Sequence, residues 1–375
     1  MNRKNICEIC TLIMGQSPDS KSYNKDKNGI PFYQGNADFG EEHPTPTVWC
    51  TAPKKIARKG DILISVRAPI GDMNIANEDC CIGRGLAAIR LNKSDIVDIN
   101  YLYHYLSATV EFLQEQGTGS TFKAINKTTL EGIEIPCPSI EKQKNIAKLI
   151  IEIKTSIQYK KAELFALNEL VKSRFIEMFG DIRISSIFPN IALENFAQIG
   201  SSKRVHAADY VESGVPFYRS KEIIELGNGQ EPSVELFISK KQYESIKKTN
   251  GVPCKGDILM SAVGTIGKMW IVDGRKDFYY KDGNIISIHS EETNPIYLKE
   301  ALANLIDDFK SANVAGSAYS ALTIVKLKKM TVPMPPMSIQ NEFADFVKLI
   351  DKSKFVGYFT LNIFYVKSSH FHHPP

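Results

Sequence analysis

Several short segments of the chain resemble parts of catalytic or metal-binding motifs, but each lacks a residue that the chemistry needs. Gly264–Lys268 (GTIGK) ends in the Gly-Lys pair of a phosphate-binding loop, which also needs a glycine where Ala262 stands and a hydroxyl residue where Met269 stands. Cys7 and Cys10 form a single C-x-x-C pair, whereas a zinc site needs four ligands. The signatures H-E-x-x-H, G-x-S-x-G and those of adenine methyltransferases are also missing. The sequence therefore predicts neither an enzyme active site nor a metal site.

Polar and basic side chains instead follow the ends of short apolar strands, where they could contact nucleic acid. Arginine, glutamine and asparagine can make paired hydrogen bonds with guanine or adenine in the major groove, and lysine neutralises phosphates. The net charge of +4 permits a polyanionic partner without identifying one. For each residue, an ordinary solvated surface charge remains the alternative. The candidate DNA-binding residues are Gln34, Asn36, Arg67, Arg84 and Lys123 in the first half of the chain and Lys203, Arg204, Arg219, Lys221, Lys268 and Lys281 in the second.

One segment occurs twice in the 375-residue chain and indicates an internal duplication. Lys59–Gly71 reads KGDILISVRAPIG and Lys255–Gly267 reads KGDILMSAVGTIG. Further matches follow in the same order, among them Ile30–Tyr33 (IPFY) with Val215–Tyr218 (VPFY). An order-preserving repeat predicts one structural unit written twice. We expect two similar α/β, β-rich domains, at residues 1–138 and 181–337.

The repeated segment contains a shared part and a variable part. Gly60 and Asp61 are typical of a turn, and the apolar residues after them predict a buried strand. The copies then differ, with Val66–Pro69 (VRAP) in one and Ala262–Thr265 (AVGT) in the other. Only the first loop offers a guanidinium. We expect the shared residues to hold the fold and the unshared residues to choose the ligand.

A long helix is predicted between the two domains, at residues 139–180. Ile150, Ile157, Leu164 and Val171 recur every seven residues, which favours packing along the length of another helix. At 1.5 Å per residue, such a helix would run roughly 60 Å. The alternative is a core helix within one domain.

A second, shorter helix is predicted at residues 338–356. Gly357 is expected to interrupt it, because Tyr358–Val366 (YFTLNIFYV) favours β structure. Residues 357–375 are therefore predicted to form an atypical tail.

Other features of the sequence bear on the compartment. Membrane-spanning and secretory segments are not expected, since apolar runs stay shorter than a membrane span requires. The seven cysteines are an odd number, which fits a reducing environment better than a disulfide framework. Together these features favour a cytoplasmic protein.

These repeated segments carry a resemblance to a known family. The paired GDIL-S segments, the loops at Gly119–Phe122 and Gly316–Tyr319, and the strand-to-helix junctions PCPSIEKQ and PMPPMSIQ recur in the same order. With Arg174–Asp181 (RFIEMFGD) at the end of the central helix, they cover nearly all of residues 12–355. The chain resembles the specificity (S) subunit of type I DNA restriction-modification systems.

The resemblance implies a function for each part of the chain. Two target-recognition domains, separated by long helices that form an antiparallel coiled coil, would each read half of a bipartite double-stranded DNA target. The central helix, with Ile150, Ile157, Leu164 and Val171, would dock methyltransferase (M) subunits, and a restriction (R) subunit would join them. The S subunit itself would be non-catalytic, with S-adenosylmethionine, ATP and Mg bound only by partner subunits.

One departure from the family pattern leaves alternatives open. A short distal helix would leave much of Leu164–Met178 without its antiparallel partner, and M-subunit docking or the fixed spacing would be weakened. The chain could then be a truncated subunit acting only as an interaction scaffold. The recognition part of a fused restriction-methylation enzyme is a further alternative.

Overall fold

The computed structural model describes residues 2–117, 123–182, 185–313 and 322–369. Two compact units are present: unit 2 comprises Tyr159–Tyr365, and unit 1 comprises the described residues before and after it. The predicted loop matches at Gly119–Phe122 and Gly316–Tyr319 lie outside the described residues, as do residues 370–375 of the predicted tail.

Unit 1 is built from short strands and a few helices. Its strands are β1 (Arg3–Asn5), β2 (Cys10–Met14), β3 (Tyr23–Asn24), β4 (Ile30–Tyr33), β5 (Trp49–Cys50), β6 (Ile56–Ala57), β7 (Ile62–Ser65), β8 (Met73–Ile75), β9 (Cys80–Ile82), β10 (Leu86–Leu91) and β11 (Glu134–Pro136). Its helices are α1 (Ile6–Ile9), α2 (Ile99–Ala108), α3 (Val110–Glu115), α4 (Lys127–Glu131) and the first part of α5 (Ile140–Phe179).

Strand β7 lies at the centre of unit 1 and is buried on both faces. An antiparallel sheet has the order β2-β10-β7-β8, and a second sheet has the order β3-β5-β4-β9-β6 with β4 and β9 parallel. Because side chains alternate along a strand, Ile62 and Ile64 pack in the core that contains Leu102 and Leu106 of α2. Leu63 points the other way, into the cluster that contains Tyr33 of β4. The repeated GDIL segment is thus the strand that joins the two cores of this unit.

Unit 2 contains the corresponding elements. Its strands are β12 (Gly180–Asp181), β13 (Ser185–Ser186), β14 (Asn190–Ala192), β15 (Gln198–Gly200), β16 (Tyr210–Val211), β17 (Val215–Tyr218), β18 (Phe237–Ile238), β19 (Ile258–Ser261), β20 (Met269–Ile271), β21 (Tyr279–Tyr280), β22 (Ile285–His289) and β23 (Thr331–Pro333). Its helices are the rest of α5, α6 (Ser220–Gly227), α7 (Lys240–Thr249), α8 (Pro295–Asn313), α9 (Ile324–Lys329) and α10 (Met337–Ser369).

The sheets of unit 2 repeat the arrangement around a central strand. The order β15-β22-β19-β20 matches β2-β10-β7-β8, and β17 pairs in parallel with β21 as β4 does with β9. Ile258 and Met260 of β19 pack in the cluster that contains Ile306 of α8, and Leu259 packs with the aromatic cluster of Phe217. The predicted fold class, two similar α/β domains with long helices, is confirmed.

Within unit 2, helices α5 and α10 run antiparallel and pack closely. Near one end, Arg174 of α5 is 3.2 Å from Glu342 of α10, and the rings of Phe175 and Phe343 are 5.5 Å apart. At the other end, Leu164 lies against Gly357. Increasing residue numbers in one helix therefore meet decreasing numbers in the other.

The predicted end of the distal helix at residue 356 is wrong, since α10 continues through Gly357 to Ser369. A Cβ at Gly357 would lie 3.0 Å from Cδ2 of Leu164, so glycine permits a close approach of the two helices. Its intrinsic cost within a helix is about 1 kcal/mol, which packing can offset. The β-favouring composition after Gly357 is likewise a weak preference, and the chain is helical there through Ser369.

The partner helix that was expected to be missing is therefore present. Leu164, Val171 and Phe175 of α5 are exposed by only 6%, 3% and 1%. The predicted weakening of M-subunit docking loses its structural basis. Across the described residues, no helix is long and apolar enough to cross a membrane.

Candidate nucleic-acid interface

The loop after β7 in unit 1 is held by one buried serine. Oγ of Ser65 donates to the carbonyl of Pro69 at 2.6 Å and accepts from the amide of Asp72 at 3.0 Å. Gly71 closes the loop at a φ of +97°, and a Cβ there would lie 2.4 Å from Cγ1 of Val110 in α3. The backbone is thus fixed from both ends, with Arg67 exposed between them.

Backbone hydrogen bonds bring three further segments of unit 1 to this loop. The amide of Val66 donates to the carbonyl of Gly85 at 2.9 Å, and the amide of Gly85 donates to the carbonyl of Gln34 at 3.0 Å. On the other side, the amide of Ile125 donates to the carbonyl of Val66 at 2.9 Å, and Arg67 forms a β-bridge with Ala124. The surface that results, called here the unit-1 surface, contains Gln34, Asn36, Arg67, Arg84 and Lys123.

The side chains of the unit-1 surface fall into two groups. Asn36 donates from Nδ2 to Asp72 at 2.6 Å, and Gln34 accepts at Oε1 from the hydroxyl of Ser17 at 2.9 Å. Arg67, Arg84 and Lys123 are exposed, and their side chains form no hydrogen bond or ion pair with any described residue. The unit-1 surface therefore offers three unpaired cations beside two oriented amides.

Ser17 belongs to this surface but was not predicted from the sequence. Besides binding Gln34, its Oγ lies 3.4 Å from the amide of Arg84, which donates to it. Gly15 allows this approach, because a Cβ there would lie 2.1 Å from the carbonyl oxygen of Gly83. The only sign of Ser17 in the sequence is that it comes two residues after Gly15, at the end of an apolar strand.

The loop after β19 in unit 2 has the same construction. Oγ of Ser261 donates to the carbonyl of Thr265 and accepts from the amide of Lys268 at 3.0 Å. A Cβ at Gly267, where φ is +78°, would lie 2.4 Å from Cγ2 of Ile306. This loop exposes Val263 where unit 1 exposes Arg67.

Neighbouring segments of unit 2 complete a second surface. The amide of Ala262 donates to the carbonyl of Asn284 at 2.8 Å, and the amide of Lys281 donates to the carbonyl of Tyr218 at 2.9 Å. The amide of Lys203 donates to the hydroxyl of Tyr279 at 2.7 Å. We call the set Lys203, Arg204, Val263, Lys268 and Lys281 the unit-2 surface.

The predicted arginines of unit 2 are all engaged in ion pairs. Arg204 donates from Nε to Asp282 at 2.8 Å. Arg219 lies 2.7 Å from Glu222, whose side chain is 1% exposed, and 2.9 Å from Glu235. The pKa of Arg219 is raised, mainly by the hydrogen bond to Glu222 and to a lesser extent by the one to Glu235.

The lysines of unit 2 differ among themselves. Lys221 pairs with Glu235 at 2.9 Å. Lys203, Lys268 and Lys281 form no side-chain hydrogen bond or ion pair within the part of the chain that the structure describes. The free cations of the unit-2 surface are therefore lysines, whereas those of the unit-1 surface include two arginines.

The predicted subunit-docking positions on α5 are not equivalent. Leu164 and Val171 are buried within unit 2 against α10, so their side chains are unavailable to another protein. Ile150 and Ile157 are partly buried. Apolar side chains that α5 does expose include Tyr159 and Phe165, which are 73% and 66% exposed.

Comparison with known proteins places the chain in a family. The family model for the type I restriction modification DNA specificity domain matches residues 1–169 and 188–355. A putative type I restriction enzyme specificity subunit of Methanocaldococcus jannaschii is 45% identical over 177 residues, which are 47% of this chain and 41% of that protein. Another, from Haemophilus influenzae, is 27% identical over 70% of this chain and 66% of its own length.

A solved structure shares the fold along almost the whole chain. It is the type I restriction-modification S subunit from M. genitalium, with a TM-score of 0.60 and 16% identity over 99% of this chain and 94% of that one. The chain spans between two-fifths and two-thirds of the lengths of the two curated relatives above. The family model nevertheless covers both repeats, and the chain belongs to the family of type I restriction-modification DNA specificity domains.

Proposed function

We propose that this chain is the DNA sequence-recognition subunit of a type I restriction-modification complex. Each unit would read one half of a bipartite double-stranded target. One observation carries the proposal: in both units, a serine-closed loop on the same strand frame presents different exposed side chains. A duplicated frame with unlike outward residues is what recognition of two unlike half-sites requires.

Electrostatics support nucleic acid as the ligand. The unit-1 surface contributes Arg67, Arg84 and Lys123, and the unit-2 surface contributes Lys203, Lys268 and Lys281. Unpaired cations can displace counterions from phosphates, which makes binding strongly dependent on salt. Oriented amides such as Gln34 and Asn36 can in addition contact base edges.

Catalysis would reside in the partner subunits. The chain would position methyltransferase and restriction subunits, and S-adenosylmethionine, ATP and Mg would bind to those partners. The curated relatives are named as specificity subunits of type I restriction enzymes, which supports this division of labour. Exposed apolar side chains of α5, including Tyr159 and Phe165, would provide contact area for a partner. The compartment would be the cytoplasm, where chromosomal DNA is accessible.

The test is to sequence the methylated bases of a host genome with and without this chain. We expect deletion to remove methylation of one bipartite, adenine-containing motif, and complementation with the full chain to restore it. An unchanged set of methylated motifs would contradict the proposal and support a scaffold without DNA recognition. Complementation by a chain with Lys203→Ala, Lys268→Ala and Lys281→Ala should restore less methylation than the wild type.

A further inference from the structure

The two surfaces differ in charge on matching segments of the two frames. The amide of Gly83 binds the carbonyl of Tyr33 at 2.8 Å, as the amide of Lys281 binds that of Tyr218 at 2.9 Å. Between this contact and the next matched one, unit 1 has the single residue Arg84 before Gly85, whereas unit 2 has two residues, Asp282 and Gly283, before Asn284. In unit 1 this segment carries a guanidinium that has no ion-pair partner among the described residues, and in unit 2 it carries a carboxylate that accepts from Nε of Arg204.

A pair of equivalent positions, one after β7 and one after β19, shows the same asymmetry. The amide of Val66 donates to the carbonyl of Gly85 at 2.9 Å, and the amide of Ala262 donates to the carbonyl of Asn284 at 2.8 Å. The residue that follows is Arg67 in unit 1 and Val263, which is 43% exposed, in unit 2. Unit 1 thus presents two guanidinium groups on segments where unit 2 presents an apolar side chain and a carboxylate.

Arg84 is carried by a backbone that is tightly constrained. A Cβ at Gly83 would lie 2.9 Å from Cα of Gln34, and a Cβ at Gly85 would lie 2.5 Å from the carbonyl oxygen of Gln34. The amide of Arg84 itself faces Oγ of Ser17 at 3.4 Å. A backbone constrained in this way suits a side chain that must meet one partner in one orientation.

The chemistry of the base edges distinguishes between the surfaces. Guanine presents two acceptors, O6 and N7, in the major groove, and a guanidinium can donate to both at once. A carboxylate on the matching segment, such as Asp282, would repel these acceptors, and valine has nothing to donate. Phosphates need only a positive charge, which Lys123 already supplies on the unit-1 surface.

We infer that the half-site read by unit 1 contains guanine, contacted in the major groove by Arg67 and Arg84. Unit 2 has Val263 in place of Arg67, and Asp282 and Gly283 in place of Arg84, so arginine does not read its half-site from these two segments. This inference rests on the proposed function, because it specifies the bases that the same surfaces recognise.

The test uses the full chain co-purified with its methyltransferase subunits and a pool of randomised DNA duplexes. Arg67→Lys and Arg84→Lys keep the positive charge but lose the planar fork. We expect each to relax a guanine preference by roughly tenfold at one position of one half-site, with the other half-site unchanged. Arg58→Lys is the matched control, because Arg58 is an exposed arginine before β7, at the end opposite Arg67.

A chemical probe tests the same contact without altering the protein. Replacing the preferred guanine by 7-deazaguanine removes the N7 acceptor and should weaken binding of the wild-type complex more than that of the lysine variant specific to that position. Guanine preferences that survive both lysine changes, or insensitivity to 7-deazaguanine, would overturn the inference and leave phosphate contacts as the role of these arginines. A wild-type complex that enriches no sequence would instead overturn the proposed function.

Discussion

In unit 1 the buried carboxylate of Asp61 binds Arg90, whereas in unit 2 the equivalent Asp257 binds His289. The equivalence follows from the strand pairing, since Ile62 faces Ile89 in one sheet and Ile258 faces Ile288 in the other. Arg90 approaches Asp61 to 2.8 Å, and Nδ1 of His289 approaches Asp257 to 2.7 Å.

The comparison shows which residues a duplicated frame retains and why. Each aspartate also accepts a backbone amide three residues earlier, from Arg58 or Cys254, both at 2.8 Å. The carboxylate thus closes the turn and anchors the strand, so it is present in both copies, while its side-chain partner differs. Residues that the frame does not use, such as Arg67 and Val263, are free to differ outright. The predictions below test how far the two frames are equivalent.

The largest effect is expected from closing the space at the loop glycines. Gly71→Ala should destabilise unit 1 by about 3 kcal/mol, because a strained backbone conformation adds to a clash with Val110. Gly267→Ala should do the same to unit 2, through Ile306. Local unfolding energies from hydrogen exchange of β7 and β19 would measure each unit separately.

A matched pair of glycines separates the clash from the backbone strain. Gly60 and Gly256 also have positive φ, at +87° and +96°, but an added Cβ would meet nothing within 4 Å. Alanine at these positions should cost only about 1 kcal/mol. Equal losses at Gly60 and Gly71 would show that packing against the helix contributes nothing.

The next effect concerns the paired aspartates. Asp61→Asn should cost about 2 kcal/mol, because it leaves Arg90 without its carboxylate in a site where that side chain is only 23% exposed. Asp257→Asn should cost about 1 kcal/mol, since His289 is 41% exposed and can be solvated. Chemical denaturation of the two variants measures the difference, and a larger loss in unit 2 would reverse our ranking.

A third effect depends on pH and belongs to unit 1. The pKa of His104 is lowered to about 4, mainly by burial and to a lesser extent by the charge of the nearby Lys154. The unfolded chain binds a proton at His104 once the pH falls below about 6.5, whereas the folded chain binds it only near the lowered pKa of about 4. The contribution of neutral His104 to stability is therefore fully present above about pH 6.5. It is lost progressively as the pH falls from 6.5 towards 4.

His104→Gln should therefore flatten the loss of stability between pH 7 and pH 5. Unit 2 carries Glu300 at the equivalent position, counted from the matched Tyr101 and Tyr297. Stability of β7 against exchange, followed across this range, provides the measurement. A wild-type pH profile in the variant would mean that His104 is solvated in the folded chain.

Much of the frame could be predicted from the sequence because its signals are local. The GDIL segments combine turn residues with an apolar run, and both copies form the strands β7 and β19. The central helix lacks glycine and proline for 40 residues, and it runs from Ile140 to Phe179.

The errors and omissions concern contacts between distant residues. Gly357 is a helix breaker by composition, but its effect depends on Leu164, 193 residues away in the chain. In the sequence, Arg219 resembles Arg67 as an arginine that follows a strand, yet Glu222 and Glu235 occupy its guanidinium. Ser17 joins the surface only because folding brings the end of β2 next to the end of β4, where its hydroxyl donates to Gln34.

The smallest effect should appear in the salt dependence of DNA binding, and it compares the two surfaces directly. Lys123→Ala in unit 1 and Lys268→Ala in unit 2 each remove one cation that has no ion-pair partner among the described residues. If each contacts one phosphate, the slope of log K against log salt should fall in magnitude by about 0.9 in either variant. Arg219→Ala should leave that slope unchanged while destabilising unit 2, because its guanidinium is held by Glu222 and Glu235. Titrations at several salt concentrations separate these outcomes. An altered slope for Arg219→Ala would mean that its ion pairs with Glu222 and Glu235 open when DNA binds. Unit 2 would then present a guanidinium to DNA, as unit 1 does.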